Sequence, residues 1–360
     1  MGAPNKLRVV DLFSGCGGLT EGVLRAAREF NREMEIALAV DLDRSAIEVY
    51  AKNFRNISNA ISCGEIEGFF DVSRGDRSLV GKERRLASQF GRVDVIVAGP
   101  PCQGHSSLNN VSRGSDPRNN LYWAPVRAAM VFRPRVVLIE NVPGVAKSQE
   151  RVIDGAHACL TKMGYCVSGG NIRLSSLGVP QQRKRHVLLA VDGKFDLPGF
   201  MAARVPNAEE GVMSAISDIV DLAGPEMGPF NRTTRLSKEN KARIDYLFDM
   251  DVYDLPNELR PACHRDKDHS YISMYGRIYP DKPAQTITGG FGSMGQGRFV
   301  HPTRRRMITA HEAARIQGFD DRFDFTSAPD MSSLRRMIGN AAPPALSGAL
   351  LSELVRRALV

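Results

Sequence analysis

No two of the six cysteines stand in a Cys-x-x-Cys pair, so the sequence offers no zinc-finger or zinc-ribbon spacing. No apolar run reaches the roughly 18 residues that a membrane-spanning helix needs, and residues 1–8 lack the apolar stretch of a signal peptide. Internal repeats and low-complexity tracts are also lacking. Six scattered thiols in a chain of 360 residues are typical of a reduced, intracellular protein. Together these features predict a cytoplasmic globular protein without a structural metal.

The composition is that of an ordinary globular protein, with 42% hydrophobic and 24% charged residues. The formal net charge is +8. This excess suits a polyanionic partner such as nucleic acid, but many basic proteins have no such partner. Charge alone therefore does not assign a function.

The first half of the chain alternates strand-like and helix-like segments. Apolar runs predict strands at 7–13, 35–40, 93–98, 136–139, 165–172 and 186–191. Amphipathic stretches predict helices at 19–30, 45–53 and 121–132. Such alternation indicates βαβ units and a parallel sheet. Periodicity is weak over 192–283, which predicts an inserted second domain, and helical patterns return at 309–317 and 344–359.

A glycine-rich segment, Phe13-Ser14-Gly15-Cys16-Gly17-Gly18, joins the first predicted strand to a helix. Glycines at this point allow a ligand to approach the backbone and the helix N-terminus. Thr20 stands where the dinucleotide fingerprint requires its third glycine, which disfavours a nicotinamide dehydrogenase. Asp41 follows the second strand and is placed to accept hydrogen bonds from a ribose. A tight turn and a surface carboxylate are the simpler alternative.

Two predicted strands end in side chains that can carry chemistry. The 93–98 strand leads into Gly99-Pro100-Pro101-Cys102, and the 136–139 strand leads into Glu140-Asn141. Ligands of an open α/β sheet bind beyond the carboxyl ends of the strands, and two prolines stiffen the loop before Cys102. A lone cysteine is more often a small buried apolar group, whereas a glutamate is almost never buried without a partner. Cys102 and Glu140 are therefore candidate catalytic residues.

A basic segment, Gln182-Arg183-Lys184-Arg185, precedes the strand predicted at 186–191. Strand alternation places Arg183 and Arg185 on one face, where they could meet Glu140 and a substrate. Taken alone, the segment is more typical of a solvated basic turn.

Taken in order, these segments resemble the motifs of the DNA cytosine-5 methyltransferase family from about Val9 to about Leu350. The resemblance includes 11–18, 40–43, 99–103, 140–142 and 181–185. Two later segments, 306–319 and 339–344, resemble the segment that shapes the family's recognition domain and the motif that closes its cofactor pocket. An ordered set of short motifs at these spacings is far more specific than any one of them.

The resemblance implies an α/β fold: a Rossmann-like, S-adenosylmethionine-dependent methyltransferase sheet with an inserted, smaller target-recognition domain. The predicted boundaries are 1–191 for the first part of the catalytic domain, 192–297 for the recognition domain and 298–360 for the return to the catalytic domain. The implied reaction transfers a methyl group to C5 of a flipped-out cytosine in a specific site of double-stranded DNA, through a covalent Cys102–C6 bond. A monomeric, metal-free enzyme is expected, and a cognate restriction endonuclease is a partner that such an enzyme can have.

The same resemblance implies roles for individual residues. The implied catalytic residues are Cys102, Glu140, Arg183 and Arg185. The implied cofactor ligands are Phe13, Ser14, Gly15, Cys16, Gly17, Gly18, Asp41, Leu42, Glu65, Ile66, Gly99, Pro101, Leu121, Asn340 and Ala342. The implied DNA contacts are Gln103, Gly104, His105, Ser106 and Arg298, with more basic side chains at 304–306.

The sequence departs from the family pattern at two positions. Glu65 replaces the usual aspartate of a Gly-Asp-Ile motif, and His105 stands where the family often has phenylalanine. Two rival functions share the fold. A tRNA cytosine-5 methyltransferase would carry a Cys-Phe-Thr tripeptide late in the insert, which this sequence lacks, and an inactive DNA-binding regulator would be expected to lose Cys102 or Glu140.

Overall fold

The computed structural model describes residues 6–73, 78–101, 117–147, 151–203, 209–219, 228–266 and 273–360. The chain divides into two compact units. The first consists of Met1–Leu177, Lys184–Val205 and Ala342–Val360, and the second of Gly178–Arg183 and Pro206–Ala341. Among the described residues, no helix is both long enough and apolar enough to cross a bilayer.

The first unit is built on one sheet, which holds seven strands within the described residues. The strands are β1 (Lys6–Leu12), β2 (Glu33–Asp41), β3 (Ile61–Cys63), β4 (Val95–Ala98), β5 (Val136–Asn141), β6 (Cys166–Arg173) and β7 (Lys184–Val191), in the spatial order β3-β2-β1-β4-β5-β7-β6. Neighbouring strands from β3 to β5 are parallel, whereas β7 is antiparallel to both β5 and β6. The predicted α/β sheet is therefore confirmed, but its β7 end is antiparallel.

The helices of the described residues follow the predicted alternation. They are α1 (Gly18–Glu29), α2 (Arg44–Phe54), α3 (Gly81–Phe90), α4 (Trp123–Phe132), α5 (Val152–Lys162), α6 (Leu197–Ala202), α7 (Met213–Ile216), α8 (Lys238–Asp249), α9 (Ala262–Arg265), α10 (Ala310–Ile316), α11 (Met331–Asn340) and α12 (Pro344–Arg356). In the first unit the central strands β4 and β5 are fully buried, as expected of parallel strands covered on both faces.

Helices α1 and α12 pack closely because a glycine lies between them. A Cβ atom added at Gly22 would lie 2.0 Å from the carbonyl oxygen of Pro344 and 2.2 Å from Ser347 Oγ. The Ser347 hydroxyl donates a hydrogen bond of 2.7 Å to the carbonyl of Leu19. The last helix of the chain thus fixes the helix that follows the glycine-rich segment.

The second unit contains buried polar contacts as well as a buried apolar core that includes Ile244, Phe291 and Phe299. Gln181 Nε2 donates to Gln317 Oε1 at 2.6 Å, and Gln317 Nε2 donates to the Ile338 carbonyl at 2.6 Å. The Glu312 carboxylate, fully buried, accepts hydrogen bonds from the Arg306 guanidinium and the backbone N–H of Thr309. Residues 298–341 pack in this unit, so the compact body extends well past the segment 192–297 for which target recognition is predicted.

Candidate active site

The glycine-rich segment adopts a backbone that few side chains tolerate. Phe13, Gly15 and Gly17 have φ values of 58°, 53° and 101°, in the left-handed region. A Cβ atom at Gly17 would lie 2.4 Å from the Phe54 ring, so only glycine fits there, whereas one at Gly15 would meet nothing within 4 Å. The backbone at Gly15 therefore borders open space. A non-glycine residue in this region, such as Phe13, is a frequent mark of a functional site.

The Asp41 side chain is fixed at the end of β2. Its two carboxylate oxygens accept hydrogen bonds of 2.8 Å each, Oδ2 from the N–H of Gly15 and Oδ1 from the N–H of Asp43. Burial raises the pKa of this carboxyl. A carboxylate offers about four acceptor positions, so acceptor capacity remains for a ligand. The next side chain, Leu42, is 68% exposed, which makes it an apolar surface beside a fixed carboxylate.

The end of β3 lies next to the end of β2, beside Asp41. Asp41 pairs with Cys63 in the parallel register, and the Gly64 N–H donates to the Asp41 carbonyl at 2.9 Å. Glu65 follows and is exposed, Ile66 is buried, and a Cβ atom at Gly64 would meet nothing within 4 Å. The three strand ends that carry predicted cofactor ligands are thus adjacent.

Two buried oxygen atoms next to the glycine-rich segment have no hydrogen-bond partner in the described part of the chain. They are Ser14 Oγ and Asp11 Oδ1. The other oxygen of Asp11 accepts a hydrogen bond of 2.6 Å from the Thr20 hydroxyl, which also lies 2.9 Å from the Tyr50 hydroxyl. Burial, with Asp41 nearby, raises the pKa of Asp11 to about 8, and burial raises that of Cys16 to about 12. Cys16 is therefore a thiol rather than a thiolate at neutral pH.

These features fit the polar part of a nucleoside-containing cofactor. Open space above Gly15 and Gly64, unpartnered oxygens at Ser14 and Asp11, and a fixed carboxylate at Asp41 are what such a molecule requires. Sequence reasoning used Thr20 only to exclude a dehydrogenase and did not assign Asp11. A carboxylate in an otherwise apolar strand was the signal available for Asp11.

Glu140 and Arg185 form an ion pair at the centre of the sheet edge. Glu140 is 8% exposed, and its Oε1 lies 2.6 Å from Arg185 Nε. The two residues come from neighbouring antiparallel strands, β5 and β7, in which Glu140 pairs with Val187. Such a partner makes the burial of a carboxylate tolerable. The predicted meeting of Arg185 with Glu140 is thus present in the structure.

The turn after β4 borders the same carboxylate. A Cβ atom at Gly99 would lie 3.5 Å from Glu140 Oε2, and Asn141 Nδ2 donates to the Pro100 carbonyl at 3.2 Å. This hydrogen bond, which sequence reasoning missed, ties the end of β5 to the proline turn. The proline turn and the end of β5 therefore lie together beside Glu140, and the chain continues from this turn into residues 102–106. Those next residues, Cys102, Gln103, Gly104, His105 and Ser106, lie outside the described residues, so their roles stay predictions.

Arg183 has different partners from Arg185. Its side chain is 1% exposed, Nη1 donates to the Ile287 carbonyl at 2.7 Å, and Nη2 donates to the Gly339 carbonyl at 3.1 Å. All three residues belong to the second unit. These contacts fix the Arg183 guanidinium on backbone carbonyls of the second unit, and its catalytic role stays a prediction.

The remaining predicted residues have the following environments. Pro101 and Leu121 are half-buried in the first unit, as is Ala342, whereas Asn340 is exposed at the end of α11 in the second.

Arg298 is 8% exposed, and its Nη1 donates to the carbonyls of Tyr253 at 2.6 Å and Arg277 at 3.0 Å. Its Nη2 binds the Asp254 carboxylate. The prediction of a DNA contact by Arg298 is therefore not supported by this geometry.

Comparisons with known proteins agree with these observations. The family model for C-5 cytosine-specific DNA methylases matches residues 7–356. The chain is 42% identical to the type II methyltransferase M1.BsuMI of Bacillus subtilis, over 95% of this chain and 78% of that protein. It is 29% identical to the type II methylase M.HgiDII of Herpetosiphon aurantiacus, over 98% and 95% of the two chains.

Solved structures share the fold at lower identity. The S. pombe Dnmt2 methyltransferase has a TM-score of 0.61 at 19% identity, over 98% of this chain and 100% of that one. The Entamoeba histolytica methyltransferase EhMeth has a TM-score of 0.62 at 17% identity, over 98% and 99%. The family match over nearly the whole chain, and not these structural likenesses alone, decides the assignment: the protein belongs to the C-5 cytosine-specific DNA methylase family and is a DNA cytosine-5 methyltransferase.

Proposed function

We propose that the enzyme flips a target cytosine out of double-stranded DNA and methylates it through a covalent bond between Cys102 and C6 of the base. The observation that carries this proposal is the Glu140–Arg185 ion pair beside the Gly99-Pro100-Pro101 turn. A charged pair at that edge of the sheet suits a polar, planar substrate, and the turn leads directly into the cysteine. Reaching C6 requires the base to leave the stack, which costs a few kcal/mol.

In the proposed mechanism, the Cys102 thiolate adds to C6, and the ring's electrons become available at C5. The Glu140 side chain binds the N3 edge and the exocyclic amine, and Arg185 binds the carbonyl oxygen of the base. Their ion pair keeps both groups oriented. After C5 is methylated, its proton leaves, the C5–C6 double bond re-forms, and the thiolate departs from C6. The electrons of the broken C5–H bond re-form the double bond, and those of the S–C6 bond return to the sulfur. The reaction therefore needs no oxidant.

S-adenosylmethionine supplies an electrophilic methyl group when it is bound. We propose that the glycine-rich segment, Asp41, Leu42 and Glu65 hold it, together with other residues of the predicted set. Asp41 has acceptor positions for the two ribose hydroxyls. Leu42 and Phe13 offer apolar contact to an adenine ring.

Replacement of Asp41 by Ala should weaken binding of S-adenosylmethionine by roughly ten- to a hundredfold, since hydrogen bonds to a charged group are worth about 1.5–3 kcal/mol. Isothermal titration calorimetry measures this directly. Asp43→Ala is the matched control, because the Asp43 carboxylate accepts from the N–H groups of Ser45 and Ala46 and caps α2. The control should lose about 1 kcal/mol of stability and keep its affinity. Equal affinities for the Asp41 variant and the parent would show that Asp41 does not bind the ribose.

Specific recognition of the DNA site is proposed for the segment 192–297, including the glycine-rich stretch 289–297. The enzyme is proposed to act as a monomer. M1.BsuMI and M.HgiDII are type II enzymes by name, which suggests that this methyltransferase also belongs to a restriction–modification system with a cognate endonuclease. Bisulfite sequencing of a plasmid methylated in a naive host would reveal the site.

The covalent mechanism is tested with a duplex that carries 5-fluorocytosine at that site. Fluorine cannot leave as the C5 proton does, so incubation with S-adenosylmethionine should trap a protein–DNA adduct that survives denaturing electrophoresis. Peptide mapping should locate the adduct on Cys102, and Cys102→Ala should form none. An enzyme that methylates the normal duplex but traps none of the fluorinated one would refute the covalent mechanism.

A further inference from the structure

The basic side chains that sequence analysis places on DNA form ion pairs inside the second unit. Each has a carboxylate partner: Arg298 binds Asp254, Arg304 and Arg306 bind Glu312, and Arg305 binds Asp245 and Asp249. A cation that is already paired releases few counterions when a phosphate approaches, so it adds little to DNA affinity. Cations without a carboxylate partner are therefore better candidates for binding the DNA backbone.

Arg335, on α11, differs from these arginines because it has no carboxylate partner within the described residues. It is half-buried, and within the described residues no carboxylate lies within ion-pair distance of it. Burial lowers its pKa, as expected of a guanidinium without an anionic partner. Its Nε is inaccessible to solvent and has no hydrogen-bond acceptor among the described residues. An uncompensated, partly desolvated cation is costly to maintain, which points to an external anion.

The guanidinium of Arg335 is held in a fixed position. Nη2 donates to Thr234 Oγ1 at 2.7 Å, and Thr234 Oγ1 donates to the Gly292 carbonyl at 3.1 Å. A Cβ atom at Gly292 would lie 2.2 Å from Arg335 Nε and 2.3 Å from its Cζ. Only glycine therefore allows the guanidinium to lie against this part of the backbone. The contacts leave Nη1 without an acceptor among the described residues.

Two more arginines lie close to Thr234 in the chain. Arg232 and Arg235 flank Thr234 in the chain, both are exposed, and neither forms an ion pair within the described residues. Three arginines without carboxylate partners in the described residues, Arg232, Arg235 and Arg335, thus lie at or next to residues that contact Gly292. The arginines of the 298–306 region, by contrast, are paired. A fixed guanidinium with neighbouring free cations is suited to a phosphate group.

We propose that Arg335 binds a backbone phosphate of the substrate duplex. Thr234 and Gly292 hold its guanidinium, and Arg232 and Arg235 increase the local attraction for DNA. The proposal rests on DNA being the substrate and does not depend on the covalent mechanism, so the fluorocytosine experiment and the one below can fail independently. A phosphate contact contributes to affinity without reading sequence.

The test measures equilibrium binding of Arg335→Gln to two duplexes, one with the methylation site and one without it, by fluorescence anisotropy at several salt concentrations between 50 and 200 mM. We expect affinity for both duplexes to fall by roughly tenfold. The slope of log K against log salt should become shallower by about one for a lost phosphate contact. Arg305→Gln, which removes a paired arginine of the same unit, should leave the slope unchanged.

Arg335→Lys keeps the positive charge and guards against a folding defect. It should retain the salt dependence of the parent even if it binds somewhat more weakly. An unchanged slope in Arg335→Gln would overturn the proposal, and so would equal loss of slope in Arg335→Lys. A loss of affinity confined to the duplex with the methylation site would also overturn it, since that result identifies a base contact.

Discussion

Replacement of Glu140 by Gln is expected to lower kcat by about two to four orders of magnitude, the usual contribution of a group that transfers or shares a proton in the transition state. Gln keeps the shape of the side chain, so the fold and the binding of S-adenosylmethionine should change little. The amide cannot offer Arg185 a charged partner, so the 2.6 Å contact between Arg185 Nε and Oε1 loses its charge–charge attraction. Single-turnover methylation with saturating DNA measures the chemical step directly.

The matched control is Glu83→Gln. Glu83 and Arg127 also form a carboxylate–guanidinium pair in the first unit, and both side chains are fully buried. Glu83 Oε1 additionally accepts from the N–H of Asp71, and Oε2 from that of Val80. Breaking such a pair typically costs 3–5 kcal/mol of stability, but this pair lies between α3 and α4 and not at the strand ends. The control should therefore melt earlier and still methylate at the parental rate while folded.

The two variants separate chemistry from stability. If Glu140→Gln and Glu83→Gln lost the same share of kcat, the effect of Glu140 would be structural. If Glu140→Gln kept a rate within a few-fold of the parent, Glu140 would have no part in the chemical step. The proposed role of Arg185 as its partner in that step would then be wrong as well.

Strands such as β5 and β7 could be predicted because most of their residues are buried apolar side chains. The predicted strand 136–139 corresponds to β5, Val136–Asn141, and 186–191 to β7, Lys184–Val191. The strand β3 was missed because Ile61–Cys63 has only three residues and none is buried. Its formation depends on the neighbouring β2, and no apolar run marks it.

The antiparallel direction of β7 was also missed, although the sequence contains a signal for it. Only residues 174–183 connect β6 to β7. A parallel crossover usually needs a dozen or more residues and most often contains a helix. The short connection therefore favours an antiparallel pair, and strand composition alone does not distinguish the two directions.

The site was predictable where a motif combined an unusual residue with a strand end, as at Asp41 and Glu140. It was not predictable where a side chain's role depends on a distant partner. Arg183 and Arg185 are equivalent in the sequence, yet Arg183 binds the carbonyl of Ile287 and Arg185 binds Glu140. In the same way, nothing in the local sequence shows that Arg298 is paired with Asp254 and that Arg335 has no carboxylate partner in the described residues.

The Asp11→Asn variant is expected to be more stable than the parent at neutral pH, by an amount that grows with pH. Burial raises the pKa of Asp11 from 3.8 to about 8 in the folded protein. The stability that Asp11 contributes is fully present below the unfolded pKa and is lost as pH rises through the folded pKa. The loss is about 1.4 kcal/mol per pH unit across that window, which amounts to on the order of 5 kcal/mol. Asparagine does not titrate, so the variant lacks this loss.

The measurement is the difference in free energy of unfolding between Asp11→Asn and the parent from pH 5 to pH 9. It should rise steadily to about pH 8 and then level off. The other titratable groups around Asp11 are Asp41, Cys16 and Tyr50. Burial raises the pKa of Asp41 as well. Because burial raises the pKa values of Cys16 and Tyr50 well above neutral pH, these two groups do not titrate between pH 5 and 9. Asp41 is therefore the group whose titration is coupled to that of Asp11.

Glu35→Gln supplies a control of opposite sign from the same sheet. Hydrogen bonds from Lys6 and Arg8 lower the pKa of Glu35, so the stability it contributes is present above its unfolded pKa and is lost as pH falls through the folded pKa. This variant should be less stable than the parent at neutral pH, with no increase in relative stability between pH 5 and 8. A difference for Asp11→Asn that stays constant from pH 5 to 9 would show that Asp11 is ionised in the folded protein. Its unpartnered oxygen would then have to be satisfied by an unseen donor, because an isolated buried carboxylate is too costly to persist.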